Sequence, residues 1–188
     1  LLQESFEIQP ADYLEGPIRR DVVQIELHVI SDGGWSDADC LYPSVGACQI
    51  DDLAVYRDGE LVVVDVGARF GYYCGDLTRT FPVDRSFTDR QRGLYDLVLE
   101  AHDRVAEAIR PGVTIFELRK IAYGVFQDSP LRDRHGERLG QYFLHGLGHF
   151  LGLDAHDPGG DSVALEPGMV ITNEPGLYLP EEGVGDQI

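Results

Sequence analysis

A chain of 188 residues with 43% hydrophobic content is long enough to bury one sizeable core. Its 33 acidic against 15 basic residues give a formal charge of -18, which repels a phosphate backbone, and no basic stripe interleaved with aromatics offsets it. Nucleic-acid binding is therefore not expected, and neither is membrane insertion, since no apolar run approaches the ~20 residues of a spanning helix.

Residues 1–45 carry the weakest signal. Helix-like spacing runs from Tyr13 to Ile30, the turn-rich Ser31-Asp-Gly-Gly-Trp-Ser-Asp follows, and no function attaches to either. The opening Leu1-Leu-Gln-Glu-Ser has no basic n-region or apolar h-region, and without an initiator Met it is read as preceded by further residues. Cys40, Cys48 and Cys74 form no CxxC pair and leave an odd thiol, so a reducing, cytoplasmic location is expected.

From Glu60 the β-branched run Leu61-Val-Val-Val-Asp-Val-Gly predicts a strand, and Tyr72-Tyr-Cys-Gly-Asp-Leu-Thr-Arg-Thr-Phe its hairpin partner. If the loop is Phe70-Gly71, positions summing to 141 face each other, and Asp65 lies opposite Asp76. Their Cβ atoms are then about 5 Å apart, a like-charge pairing that needs compensation. A pair of cations about 3.5–4 Å apart supplies it. Taken alone, each aspartate is an ordinary strand-end or turn residue; the motifs further along shift the balance toward ligands.

Thr88 is placed to cap a helix through Ile109, with Leu94, Leu97, Val98, Ala101, Val105 and Ile109 on one face and Pro111-Gly112 ending it. Thr114 with Glu117 makes a capping box for a second helix to about Gln127. Ser129 to Gly140 reads as a loop, after which short strands are expected to carry the motifs up to Met169-Val-Ile-Thr-Asn-Glu174. Strands, then helices, then strands indicate an α+β fold. A domain-scale pseudo-repeat fits two strands that each place an acid two residues from a threonine: Asp76 with Thr78, and Glu174 with Thr172.

The densest motif is His145-Gly-Leu-Gly-His149-Phe-Leu-Gly-Leu-Asp-Ala-His156-Asp157. Its glycines argue against a regular helix and for a strand or turn that a substrate backbone can approach closely. Asp65, Asp76, His149 and Glu174 form a carboxylate-rich set with one imidazole and no required thiolate, which suits Mn, Co or Zn. His28, His102 and His135 read as ordinary histidines, and Cys74 as a small packing residue rather than a group facing metals.

These motifs resemble the creatinase/methionine-aminopeptidase superfamily with its pita-bread fold, and within it aminopeptidase P and prolidase. The match runs from about Tyr42 to Gly185, through Asp65-Val-Gly-Ala, Gly75-Asp76-Leu-Thr-Arg-Thr-Phe-Pro-Val, Pro111-Gly112, the histidine motif and Leu165-Glu-Pro-Gly-Met-Val-Ile-Thr-Asn-Glu174-Pro-Gly. The resemblance implies a curved antiparallel sheet covered by helices, with pseudo-two-fold halves, present here as one incomplete domain over 1–188 without the usual N-terminal domain. It implies two divalent ions, Mn before Co or Zn: Asp65 chelates one, Asp76 bridges both, and His149 and Glu174 complete the sites. His145 and His156 then bind substrate and stabilise the reacting carbonyl. The implied reaction is metal-dependent hydrolysis of the peptide bond preceding proline, with a proline-containing peptide as partner and homodimerisation left open. A non-catalytic or impaired pita-bread module that binds peptides or a protein partner is the other reading.

Two departures bear on that choice. The substrate histidine expected after Tyr-Pro-Ser is absent from Tyr42-Pro-Ser-Val-Gly-Ala-Cys-Gln-Ile. The expected Gly-Val-Arg-Ile-Glu-Asp strand, whose Glu is a second bridging ligand, reads Gly183-Val-Gly-Asp186-Gln-Ile, and whether Asp186 replaces that Glu stays open.

Overall fold

The computed structural model describes residues 59–188, which lie within a compact unit spanning Val55–Ile188. The Tyr13–Ile30 segment, His28, Cys40, Cys48 and the Tyr42-Pro-Ser phrase lie outside the described residues.

The β-branched run forms β1 (Leu61–Val66), antiparallel to β4 (Leu77–Pro82), and the hairpin is closed by β2 (Arg69–Phe70) and β3 (Tyr73–Cys74). Its loop is Gly71-Tyr72 and not Phe70-Gly71. Both loop residues have positive φ, 54° and 73°, as a type I′ turn requires. That turn favours glycine in second place, which points to Phe70-Gly71; the chain instead uses its glycine first. Asp65 consequently faces Thr78, two residues away from the expected Asp76. A slip of two preserves the face of every side chain, so Asp65 and Asp76 remain on one side as diagonal neighbours. Gly67 and Gly75 allow the strands to close up at this point, because a Cβ at 67 would run into the Gly75 carbonyl.

Helix α1 (Asp89–Ala108) starts at Thr88, whose hydroxyl accepts from the Gln91 N–H while the Gln91 side chain returns to the Thr88 N–H. Leu94, Leu97, Val98, Ala101 and Val105 are buried as the spacing predicts. Ile109 is the exception: it is the C-cap, in extended conformation and 39% exposed, because the helix stops one residue short of placing it on the buried face. Helix α2 (Ile115–Asp128) carries the expected Thr114–Glu117 capping box and buries Ile115, Leu118, Ala122 and Phe126 against α1. Capping of this kind satisfies amide donors that a helix start otherwise leaves open.

The last pair, β5 (Gly176–Leu179) and β6 (Val184–Gln187), is joined by a short turn at Pro180–Glu182 and by Gly183 in the left-handed region. Leu177 and Leu179 project into the same core as α1 and α2. Thr80 links the two strand pairs: its Oγ1 donates to the Gln187 carbonyl at 2.9 Å and accepts the Gln187 N–H at 3.0 Å. Among the described residues the strands form three two-stranded antiparallel pieces, and no helix is long and apolar enough to cross a membrane.

Candidate metal centre

Asp76 sits where β3 passes into β4, on the face that looks toward the histidine motif. The stretch that carries His149 and Glu174 is not built of regular strands, contrary to the sequence expectation. Glu174 donates its N–H to the Leu147 carbonyl, Thr172 to His149 and Leu151 to Val170, an antiparallel register held together by single bonds and bridges. The ladder is irregular because the His149 N–H goes to the Thr172 hydroxyl at 2.9 Å rather than to a carbonyl. Gly148 permits the crossing: a Cβ there would collide with the Thr172 carbonyl and hydroxyl. Gly148→Ala should accordingly push His149 away from Glu174 and weaken divalent-ion binding by about tenfold; an unchanged affinity by calorimetry would show that the crossing has room to spare.

This scaffold brings Asp76, His149 and Glu174 together, with one ligand atom from each lying within 4.8 Å of the others. The His149 Nε2 is 3.2 Å from Glu174 Oε1 and 3.4 Å from Asp76 Oδ2. Its Nδ1 is 3.0 Å from the Phe150 carbonyl, which can only accept, so in a neutral ring the proton is on Nδ1 and the Nε2 lone pair points at two carboxylates. Three electron-rich atoms converging in this way call for a positive centre between them. The donor set fits a borderline or hard divalent ion. Burial, then the nearby Asp65 and Glu174, hold the Asp76 carboxyl above the ordinary aspartate range.

Glu174 is oriented from both sides. Thr172 Oγ1 donates to Oε1 at 2.7 Å and Gln187 Nε2 to Oε2 at 3.0 Å. Asp65 is exposed on β1 and stands outside the three-residue group, close enough that its charge and a shared hydrogen bond raise Asp76. His145 is half-buried, with Nδ1 2.6 Å from the Gly146 carbonyl and Nε2 3.0 Å from the Tyr178 hydroxyl. Arg119 donates to the His145 carbonyl and lies over the Phe143 ring, whose edge meets His145. His156 is exposed, its ring centroid 4.0 Å from that of His149. Cys74 makes a sulfur contact to the Leu153 carbonyl and is not part of the cluster, while His102 and His135 pair with Asp103 and Glu181.

Two residues at the site escaped the sequence reading. Tyr178 connects His145 to Gln187, donating to Gln187 Oε1 at 2.6 Å, and burial, then Glu174, pushes its hydroxyl up to about 12. The sequence does carry a signal for Gln187: set on the shared Gly183-Val184 start, the expected bridging Glu falls at Gln187, not at Asp186. Strand alternation then turns Asp186 the other way, opposite Leu177 and fully buried.

A profile for metallopeptidase family M24 matches residues 33–188. The chain belongs to this family. It is 43% identical over 146 residues to the Xaa-Pro aminopeptidase of Escherichia coli, covering 70% of this chain and 33% of that protein. It is also 43% identical over 129 residues to the Xaa-Pro dipeptidase of Pyrococcus furiosus, covering 66% and 34%. Among solved structures, prolidase from Pyrococcus furiosus superposes with a TM-score of 0.60 at 42% identity over 69% of this chain and 37% of that one. Zn-substituted Escherichia coli aminopeptidase P in complex with product gives 0.62 at 39% identity, over 70% and 35%. The M24 chain thus spans about a third of the length of the curated relatives it matches. The resemblance read from the motifs is borne out, and the architecture is part of the pita-bread fold, a mixture of helices and antiparallel strands.

Proposed function

We propose that this chain carries the metal centre of a peptidase that hydrolyses the bond preceding proline, as an Xaa-Pro aminopeptidase or dipeptidase. The convergence of Asp76, His149 and Glu174, with the His149 lone pair aimed at both carboxylates, is the observation that carries the reading. The names of its relatives in Escherichia coli and Pyrococcus furiosus support the substrate class. Asp76, His149 and Glu174 hold the first divalent ion, and Asp65 extends the set toward a second. Manganese is the first choice for so carboxylate-rich a set, with Co or Zn next, the latter also present in a solved aminopeptidase P.

When bound, such ions supply the charge that lowers the pKa of water and polarises a scissile carbonyl. The protein's own groups do the rest. Thr172 and Gln187 hold the Glu174 carboxylate in one orientation, and the Phe150 carbonyl fixes the His149 tautomer. On this reading His156, exposed beside His149, donates to a developing oxyanion, and His145, whose ring Tyr178 steadies, lines the peptide's path. The odd cysteine count supports a cytoplasmic setting.

The test compares matched peptides with Pro or Ala after the scissile bond, assayed with added Mn. Cleavage of the Pro peptide alone, abolished by chelator, is expected; faster cleavage of a Met-Ala peptide would move the chain to the methionine-aminopeptidase branch. Gln187 in place of a carboxylate favours a second reading, a peptide-binding module without turnover. Binding of the Pro peptide with no cleavage at saturating Mn would select it.

A further inference from the structure

We propose that Gln187 closes the centre to a second tightly held ion. This rests on the metal-binding reading above and goes beyond it, because it concerns a residue that binds no ion itself.

The orientation of the Gln187 amide is fixed by its partners. Glu174 is acceptor-only when ionised, so Nε2 must face its Oε2, and Oε1 is left to receive the Tyr178 proton. The N–H groups therefore present positive charge to the Glu174 oxygen that a second cation would need. Oε1 of the same carboxylate already faces His149 and takes the Thr172 hydroxyl. The amide cannot readily withdraw, since both backbone groups of Gln187 are bonded to Thr80 Oγ1. No other acid on β6 compensates: Asp186 is 0% exposed, packed opposite Leu177. Among the described residues, Asp65, exposed on β1, would be left to balance a second divalent charge.

Manganese titration of the full 188-residue chain by calorimetry and equilibrium dialysis tests this, with Gln187→Glu, Gln187→Ala and Asp186→Asn beside the parent. The parent should bind one ion tightly and any second at least tenfold more weakly. Gln187→Glu should bind two ions of similar affinity and give the paramagnetic resonance of a coupled pair. Gln187→Ala frees the Glu174 oxygen without adding charge and should narrow the gap between the two affinities even if the Glu variant folds poorly. Asp186→Asn should leave the ion count unchanged. Two equally tight ions in the parent, a gap unchanged in Gln187→Ala, a count of one in folded Gln187→Glu, or a changed count in Asp186→Asn would each overturn the proposal while leaving the metal-binding reading intact. A parent that binds no Mn, Co or Zn would overturn both.

Discussion

Asp76→Asn is expected to weaken divalent-ion binding by about 100-fold, whereas Asp65→Asn should cost about tenfold or less. The difference follows from position. Asp76 supplies one of the three ligand atoms that converge within 4.8 Å, and its carboxylate is partly withdrawn from water between Asp65 and Glu174. Asn keeps the shape but offers a neutral oxygen, so the His149 lone pair loses one of the two charges between which a cation would lie. Asp65 is exposed and stands outside the three converging ligand atoms, beside Asp76. Parallel calorimetric titrations of the two variants check this, and equal losses would mean that Asp65 belongs to the primary set.

Asp186→Asn should stabilise the fold by about 2–3 kcal/mol near pH 8 and by about 1 kcal/mol at pH 4.5. Asp186 is fully buried, and neither carboxylate oxygen has a hydrogen-bond partner among the described residues. Burial, partly offset by the nearby Thr80 hydroxyl and Gln187 amide and reinforced by repulsion from Asp96, pushes its carboxyl up to about 6 from an ordinary 3.8. A group whose folded value is raised favours folding fully only below its unfolded value, and that advantage disappears as pH rises through the folded one. The cost therefore accumulates between about pH 4 and pH 7, and removing the charge recovers it. Urea unfolding at the two pH values is the measurement; a gain independent of pH would show that packing, not ionisation, is responsible.

The two helices were legible because their signals are local. Thr88 and Thr114 lie beside the amides they cap, and Leu94 through Val105 repeat at helical spacing within one segment. Asp76, His149 and Glu174 were legible for a different reason: their flanking phrases are unusual enough to find without any folding argument. The register of the first hairpin differs from the expectation because the loop inverts the usual place of glycine. The strands expected around His149 were misread because a threonine hydroxyl takes the place of a backbone carbonyl. Gln187 and Tyr178 were missed because a neutral amide and a phenol carry no ligand signature. Their roles come from pairing β5 with β6 and from Thr80 reaching across from β4.

The α1–α2 pair is built from one continuous segment, residues 89–128, while the centre draws on Asp76, His149, Glu174 and Gln187 from four separate segments. Local contacts form early and cheaply, whereas long loops must close before distant groups meet. The helix pair should therefore be assembled while the centre is still open. A refolding species with full helical circular dichroism and no capacity for manganese is the expected intermediate stage, so ion uptake reports completion of the chain's last long-range contacts.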